Sequence, residues 1–252
     1  MKIFYFTATG NGLAIAKRIG GQLYSIPQVL NESKLEFEDD QIGIIFPCYS
    51  LSTPKIVMEF IEKVTFKSSY IFGIMSYGNM AGGGIDHFKK HCEKNGVKLT
   101  YTNQILMVDN YLPMFDIIEQ KKDIPNRKIN ENIEKITSDI SSKRNFILRS
   151  SFLKKTMSNF GSLMINRESQ KFYAKKKLTV EDHCTKCGVC VKVCPVNNIK
   201  LKNKVSFDEK CIGCLACTHN CPENAIRLKG EKSKERFRNE NVSLAEIIQS
   251  NE

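Results

Sequence analysis

The chain has 252 residues, 41% of them hydrophobic, and carries a formal net charge of +11. That length fills one medium domain and a small one, with enough apolar content for a packed core. No run approaches the roughly 18 apolar residues of a membrane-spanning helix, and no basic-then-apolar leader follows Met1, so the expected address is cytoplasmic.

The charge is unevenly spread: +1 over residues 1–110, +8 over 111–177, +3 over 178–230 and −1 over 231–252. Such a basic middle suits a solvated helix face or an acidic protein partner, and no stretch has the make-up of a nucleic-acid-binding module.

The first 110 residues alternate strand and helix, the pattern of a parallel sheet covered by helices. "KIFYF" (2–6) reads as the first buried strand. A Thr- and Gly-rich loop follows, then a helix through Leu13, Ala16 and Ile19 that stops at Gly20-Gly21. "LYSI" (23–26) and "IGIIF" (42–46) are the second and third strands. Thr53 caps a helix with Pro54 at its first position, and Ile56, Val57, Phe60, Ile61 and Val64 form its apolar face. "SYIFGIM" (69–75) is a fourth strand, and a helix with Ile85, Phe88 and Cys92 on one side ends at Asn95-Gly96. "VKLTYTNQILMV" (97–108) holds the fifth strand, and Ile129, Ile133, Ile136 and Ile140 mark a closing helix.

Ligands of such sheets bind at the carboxyl ends of the strands, where loops 7–12, 47–53 and 76–83 meet. The dinucleotide fingerprint G-x-G-x-x-G fails, because position 15 is Ile, and no Gly-Lys-Ser/Thr tripeptide occurs. What remains is hydroxyls and free amides at a helix N-terminus, which hold a phosphate monoester without a cation.

Here the sequence resembles the flavodoxins. Their Thr/Ser-x-Thr-Gly-Asn-Thr/Ser loop is matched by Thr7-Ala8-Thr9-Gly10-Asn11-Gly12, with Gly12 departing at the final hydroxyl position. The resemblance covers roughly residues 1–142 and implies a doubly wound, five-stranded parallel sheet binding FMN. Thr7, Thr9 and Asn11 with the amides around Gly10 and Gly12 would hold the phosphate. The ring would sit between Pro47, Cys48, Tyr49, Ser50 and Leu51 on one side and Ser76, Tyr77, Gly78 and Gly82 on the other. Tyr49 and Tyr77 are its aromatic neighbours, and Asn110 and Tyr111 also fall near it.

Residues 143–177 carry Phe146, Phe152, Phe160 and Phe172 among many lysines and arginines. They read as a basic helical linker packed against both domains, the sharper alternative being a membrane-surface or partner-docking helix.

Eight of the ten cysteines lie within 38 residues. "CTKCGVCVKVCP" (184–195) and "CIGCLACTHNCP" (211–222) share the spacing C-x-x-C-x-x-C-x-x-x-C-P at an offset of 27, each with a short strand before and after it. A four-iron cube needs four thiolates, one for each iron: three from one tight loop and a fourth from the other half of the duplication. Cys184, Cys187, Cys190 and Cys221 are thus assigned to one 4Fe–4S cluster, and Cys211, Cys214, Cys217 and Cys194 to the second. Disulfides would need an oxidising compartment, and zinc sites usually use two pairs of ligands. Cys92 reads as a core thiol; His183 and His219 read as surface positions beside ligands, the alternative being that each tunes a cluster through hydrogen bonding.

Residues 178–230 resemble the bacterial two-cluster ferredoxins, an α+β fold. The whole chain resembles a flavodoxin–ferredoxin fusion, known mainly from anaerobes. The tail, 231–252, carries Ser243 and Glu246 as a capping box before a short helix. The resemblance implies an electron carrier that couples two-electron and one-electron chemistry, with no catalytic acid, base or nucleophile. An FMN-dependent oxidoreductase acting on a pyridine nucleotide or quinone is the alternative. With cofactors the charge falls to about +5, so an acidic ferredoxin or flavodoxin is the expected partner.

Overall fold

In the first strand successive side chains point to opposite faces, and this alternation builds two cores. Ile3 and Tyr5 join a buried cluster on one face; Phe4 and Phe6 join the other. The structure is a computed structural model and describes residues 1–151 and 177–252. Phe152, Phe160 and Phe172 of the expected linker lie outside the described residues.

The chain runs β1 (Lys2–Tyr5), α1 (Asn11–Ile19), β2 (Gln22–Ser25), α2 (Ile26–Val29), β3 (Glu36–Glu38), β4 (Gln41–Pro47) and α3 (Lys55–Lys63). It continues through β5 (Thr65–Lys67), β6 (Tyr70–Tyr77), α4 (Gly84–Lys94), β7 (Tyr101–Leu106), α5 (Ile117–Lys122), α6 (Ile129–Ser141) and β8 (Phe146–Ile147). From residue 177 the elements are β9 (Leu178–Val180), α7 (Val189–Lys192), β10 (Ile199–Leu201), β11 (Val205–Phe207), α8 (Ala216–His219), β12 (Ile226–Leu228) and α9 (Leu244–Asn251).

The main sheet has the order β2-β1-β4-β6-β7-β8 with every neighbouring pair parallel. Strands leave β1 in both directions, so a crevice opens at its carboxyl end. Ile133, Ile136 and Ile140 of α6 cover one face with α1, and Phe60 of α3 and Phe88 of α4 cover the other. Each fully buried phenylalanine contributes about 1.5–3 kcal/mol over its exposed state.

The sheet has six strands, not the expected five. The sixth is Phe146–Ile147, in a stretch read as helical from its apolar and basic composition. β7 would otherwise end the sheet with unpaired backbone groups; instead the Phe146 amide donates to the Thr100 carbonyl at 3.2 Å and the Leu148 amide to that of Thr102 at 3.3 Å. Edge pairing thus overrides composition. β3 and β5 form a separate parallel pair. Thr53 does not cap α3: Pro54 holds that position, and the Thr53 hydroxyl donates to the Gly84 carbonyl at 3.4 Å.

The four short strands around the cysteine runs pair across the duplication, β9 with β12 and β10 with β11, both antiparallel. Each half therefore contributes one strand to each ribbon. The tail closes the chain back on the larger sheet. Ser243 and Glu246 form the capping box of α9, Lys17 of α1 bonds Glu246 at 2.7 Å, and the Tyr5 and Ser250 hydroxyls meet at 2.9 Å. Among the described residues no helix is long and apolar enough to cross a membrane.

Candidate functional site

The loop after β1 turns at Gly10, whose φ is 99°, and enters α1 at once. The first helical amide to reach a carbonyl is that of Ala14, which bonds Gly10 at 2.8 Å; the amides before it have no turn to bond to. Thr7 and Thr9 are buried, and each hydroxyl oxygen accepts a bond, from the Gly10 amide at 3.0 Å and from the Asn110 side chain at 2.7 Å. Their hydroxyl hydrogens are left to donate. Gly12 has no space for a side chain, because a Cβ would lie 2.5 Å from the Phe6 carbonyl oxygen. The absent hydroxyl at this position therefore follows from backbone packing. The Asn11 side chain is held by protein: its Nδ2 donates to the Val108 carbonyl at 3.3 Å and its Oδ1 accepts from Asn239 at 3.0 Å. This donor set, amides and two hydroxyls with no cation in the loop, matches a phosphate monoester.

The loop forms one end of a cleft of about 500 Å³, well within the usual size of a small-molecule site. Of the expected contact positions all but Gly10 and Gly82 line it. Gly82 lies behind, where its carbonyl accepts from the Ser150 hydroxyl at 3.2 Å. Tyr49 and Ser52 pair through two backbone bonds of 3.0 and 2.9 Å, which places Ser50 and Leu51 at the tip of a tight turn with φ of 53° and 63°. Both are non-glycine residues in the left-handed region, a cost borne at the cleft's edge. Ser52 is fixed from below by His87, whose Nδ1 is 2.8 Å from its hydroxyl. Burial raises the Tyr49 hydroxyl well above its ordinary range and also raises Tyr77. Burial pushes the Cys48 thiol up to about 12, so it stays neutral and is no nucleophile.

All ten cysteines are free. Cys194, Cys211, Cys214 and Cys217 line one small cavity of about 20 Å³, and none of the other cysteines does. Around Cys190 the grouping is the complementary one: burial raises its thiol to about 11, and Cys221, Cys184 and Cys187 are the neighbouring sulfurs that add to this. The crossover cysteines are treated alike in both halves: Cys194 accepts from the Asn198 amide at 3.2 Å, and Cys221 from the Ala225 amide at 3.3 Å. Such N–H···S bonds set cluster potentials. Each iron of a cube takes its own thiolate, so the sulfurs need not converge on a point. Among the described residues no three His, Cys, Asp or Glu side chains do.

The two sites share a wall. Residues 212–215, Cys214 among them, line both the cleft and the small cavity. Cys214 also stands close enough to Tyr49 to perturb its hydroxyl. Sequence reasoning missed this wall, because nothing in a ligand spacing says what the loop packs against. His219 departs from the expected surface position: it is 3% exposed, donates from Nε2 to the Asn110 carbonyl at 2.8 Å and accepts at Nδ1 from the Phe237 amide at 3.1 Å. Burial lowers it to about 4, so it is the neutral tautomer that bridges the two parts. His183 is exposed as expected, and Cys92 is fully buried.

A family model described as the 4Fe-4S dicluster domain matches residues 183–226. The match spans both cysteine runs, and this part of the chain is an iron–sulfur electron-transfer module. No curated protein matches the chain.

Proposed function

We propose that the chain is an electron-transfer protein in which FMN in the cleft exchanges electrons with two 4Fe–4S clusters, one on Cys184, Cys187, Cys190 and Cys221 and the other on Cys211, Cys214, Cys217 and Cys194. When bound, FMN supplies a centre that takes two electrons in single steps, whereas each cluster takes one. Residues 1–142 form the flavin domain, 143–177 the connector, whose β8 completes the sheet, 178–230 the cluster domain, and 231–252 the strap that returns to the larger sheet. Thr7, Thr9 and the first-turn amides of α1 hold the phosphate. Tyr49 and Tyr77 flank the ring, and the chain acts in the cytoplasm.

The single observation that carries this reading is the shared wall at 212–215, which sets a cluster thiol against the cleft. Anaerobic purification with iron, sulfide and flavin counted per chain tests it. About eight irons and one FMN are expected; a reconstituted protein with eight irons and no affinity for flavin would overturn the flavin half.

A second reading, an FMN-dependent oxidoreductase, is favoured by the open rim of the cleft, where Met80 and Met114 are 56% and 60% exposed. Stopped-flow mixing with NADH, NADPH and a soluble quinone separates the two: rapid flavin turnover supports the enzyme, and none supports the carrier. An acidic ferredoxin or flavodoxin is the partner suited to the basic excess, and its electron exchange is expected to weaken with added salt.

A further inference from the structure

The loop at residues 7–12 is not held by its own bonds alone. The Ala8 carbonyl accepts from Asn220 Nδ2 at 3.0 Å and the Thr9 carbonyl from the Asn239 amide at 2.8 Å. Asn239 also donates through Nδ2 to Asn11 Oδ1 at 3.0 Å. A Cβ on Gly10 would lie only 2.9 Å from that of Asn239, so tail and loop are packed backbone to side chain. With their carbonyls tied outward in this way, the loop's amides are kept in place for an anion.

Asn220 belongs to the cysteine-bearing part. It follows α8, which carries Cys217, and immediately precedes Cys221, so a ligand of each cluster brackets it. Its Nδ2 donates to the Ala216 carbonyl at 2.9 Å as well as to Ala8. Two carbonyl acceptors fix which way the amide points. Its Oδ1 is buried and unpartnered among the described residues. The side chain is thus kept for its NH2 group although its oxygen goes unpaired. A four-residue helix such as α8 cannot hold itself in water; His219 ties it to Asn110 and Phe237, and ligation of Cys217 within it and Cys221 just after it would fix it further.

We propose that Asn220 and Asn239 are positioning residues for the phosphate loop, and that through Asn220 cluster assembly and FMN binding are coupled, each strengthening the other. The proposal rests on the flavin reading above. Ligated cysteines hold α8, α8 holds Asn220 against Ala8, and a preorganised loop binds phosphate without first having to be ordered. Linkage makes the effect reciprocal.

FMN titrated anaerobically into the full chain, iron-loaded and iron-free, measures the coupling through flavin fluorescence. Removal of iron is expected to weaken FMN binding about tenfold. Asn220→Ala is expected to weaken FMN similarly in the iron-loaded protein and to abolish most of the further loss on iron removal. Asn239→Ala is expected to weaken FMN in both states while leaving their ratio unchanged, since no cluster ligand adjoins it. The reciprocal measurement guards against an iron-free chain that unfolds: in the loaded parent protein, FMN is expected to raise about tenfold the chelator concentration that removes half the iron at equilibrium. Equal FMN affinity with and without iron, or an equal chelator midpoint with and without FMN, overturns the coupling while leaving the flavin site standing. Absence of FMN binding in every form overturns the flavin reading and the coupling with it.

Discussion

The two halves of the cysteine duplication share a backbone and differ in what surrounds it. At the offset of 27, Lys186 matches Gly213 and Gly188 matches Leu215, and all four have positive φ: 58°, 68°, 79° and 59°. The tight curl of each cysteine run sets the same angles in both halves. The side chains then follow the environment. In the first half Lys186 is exposed beside Cys187, the only exposed cysteine of the ten. In the second half the lysine's place is taken by Gly213, where the chain forms the cleft wall, and the glycine's place by Leu215, which is 5% exposed and fills the same wall.

A left-handed non-glycine residue costs about 1–2 kcal/mol, and each half accepts it at a different position. The helices diverge likewise. Lys192 on α7 is exposed, with an ion pair to Glu252 at 3.6 Å, whereas its counterpart His219 is buried between two backbone groups of other segments. Duplication thus produced one half facing the cleft and one facing solvent, without altering the ligand spacing.

The comparison breaks most readily at the ligands. Cys214→Ala and Cys187→Ala are each expected to reduce the iron count from about eight to about four. Only Cys214→Ala is expected to loosen FMN as well, read by flavin released on gel filtration; equal flavin loss in both variants would show the halves to be equivalent. A weaker break exchanges the side chains. Gly213→Lys, which writes the first half into the second, is expected to destabilise by about 2–4 kcal/mol, from the left-handed backbone that a non-glycine residue must adopt there and from partly desolvating a cation at the half-buried wall. Lys186→Gly, the reverse exchange, is expected to be neutral or stabilising by up to about 1 kcal/mol, measured by anaerobic denaturant unfolding.

At the helices, His219→Leu leaves the Asn110 carbonyl and the Phe237 amide without partners and is expected to cost about 2–4 kcal/mol. Lys192→Ala removes an exposed pair and is expected to stay within about 0.5 kcal/mol.

The smallest effect concerns the strap. Hydrogen bonding from Lys17, then from Ser243, lowers the Glu246 carboxyl from 4.5 to about 2. A depressed carboxyl stabilises the fold above its unfolded pKa, and that contribution disappears as pH falls from 4.5 through about 2. Glu246→Gln is therefore expected to speed amide exchange in α9 about two- to fivefold at neutral pH, and parent and variant should converge across that acid window.

Much of this was legible in the chain itself. Strands with continuous apolar runs, such as Ile42 to Phe46, need no context to be placed, because only a sheet covered on both faces buries every one of them. The capping box at Ser243 was equally readable, since its partners are three residues apart. β8 was not: two residues form a strand only when an edge is waiting for them. The loop's donor set was visible from Thr7, Thr9 and the glycines, but the bonds that hold the Asn11 side chain were not, because its partners Val108 and Asn239 are remote.

The sequence by itself determined the parallel sheet, the duplicated spacing of the two cysteine runs, and a loop of donors without a cation. All three are recorded in local spacing or in an internal repeat. Only the tertiary structure decided which half of the repeat meets the cleft and that Asn220, His219 and Asn239 tie the two parts together. Such contacts join residues a hundred or more positions apart, where no periodicity links one partner to the other.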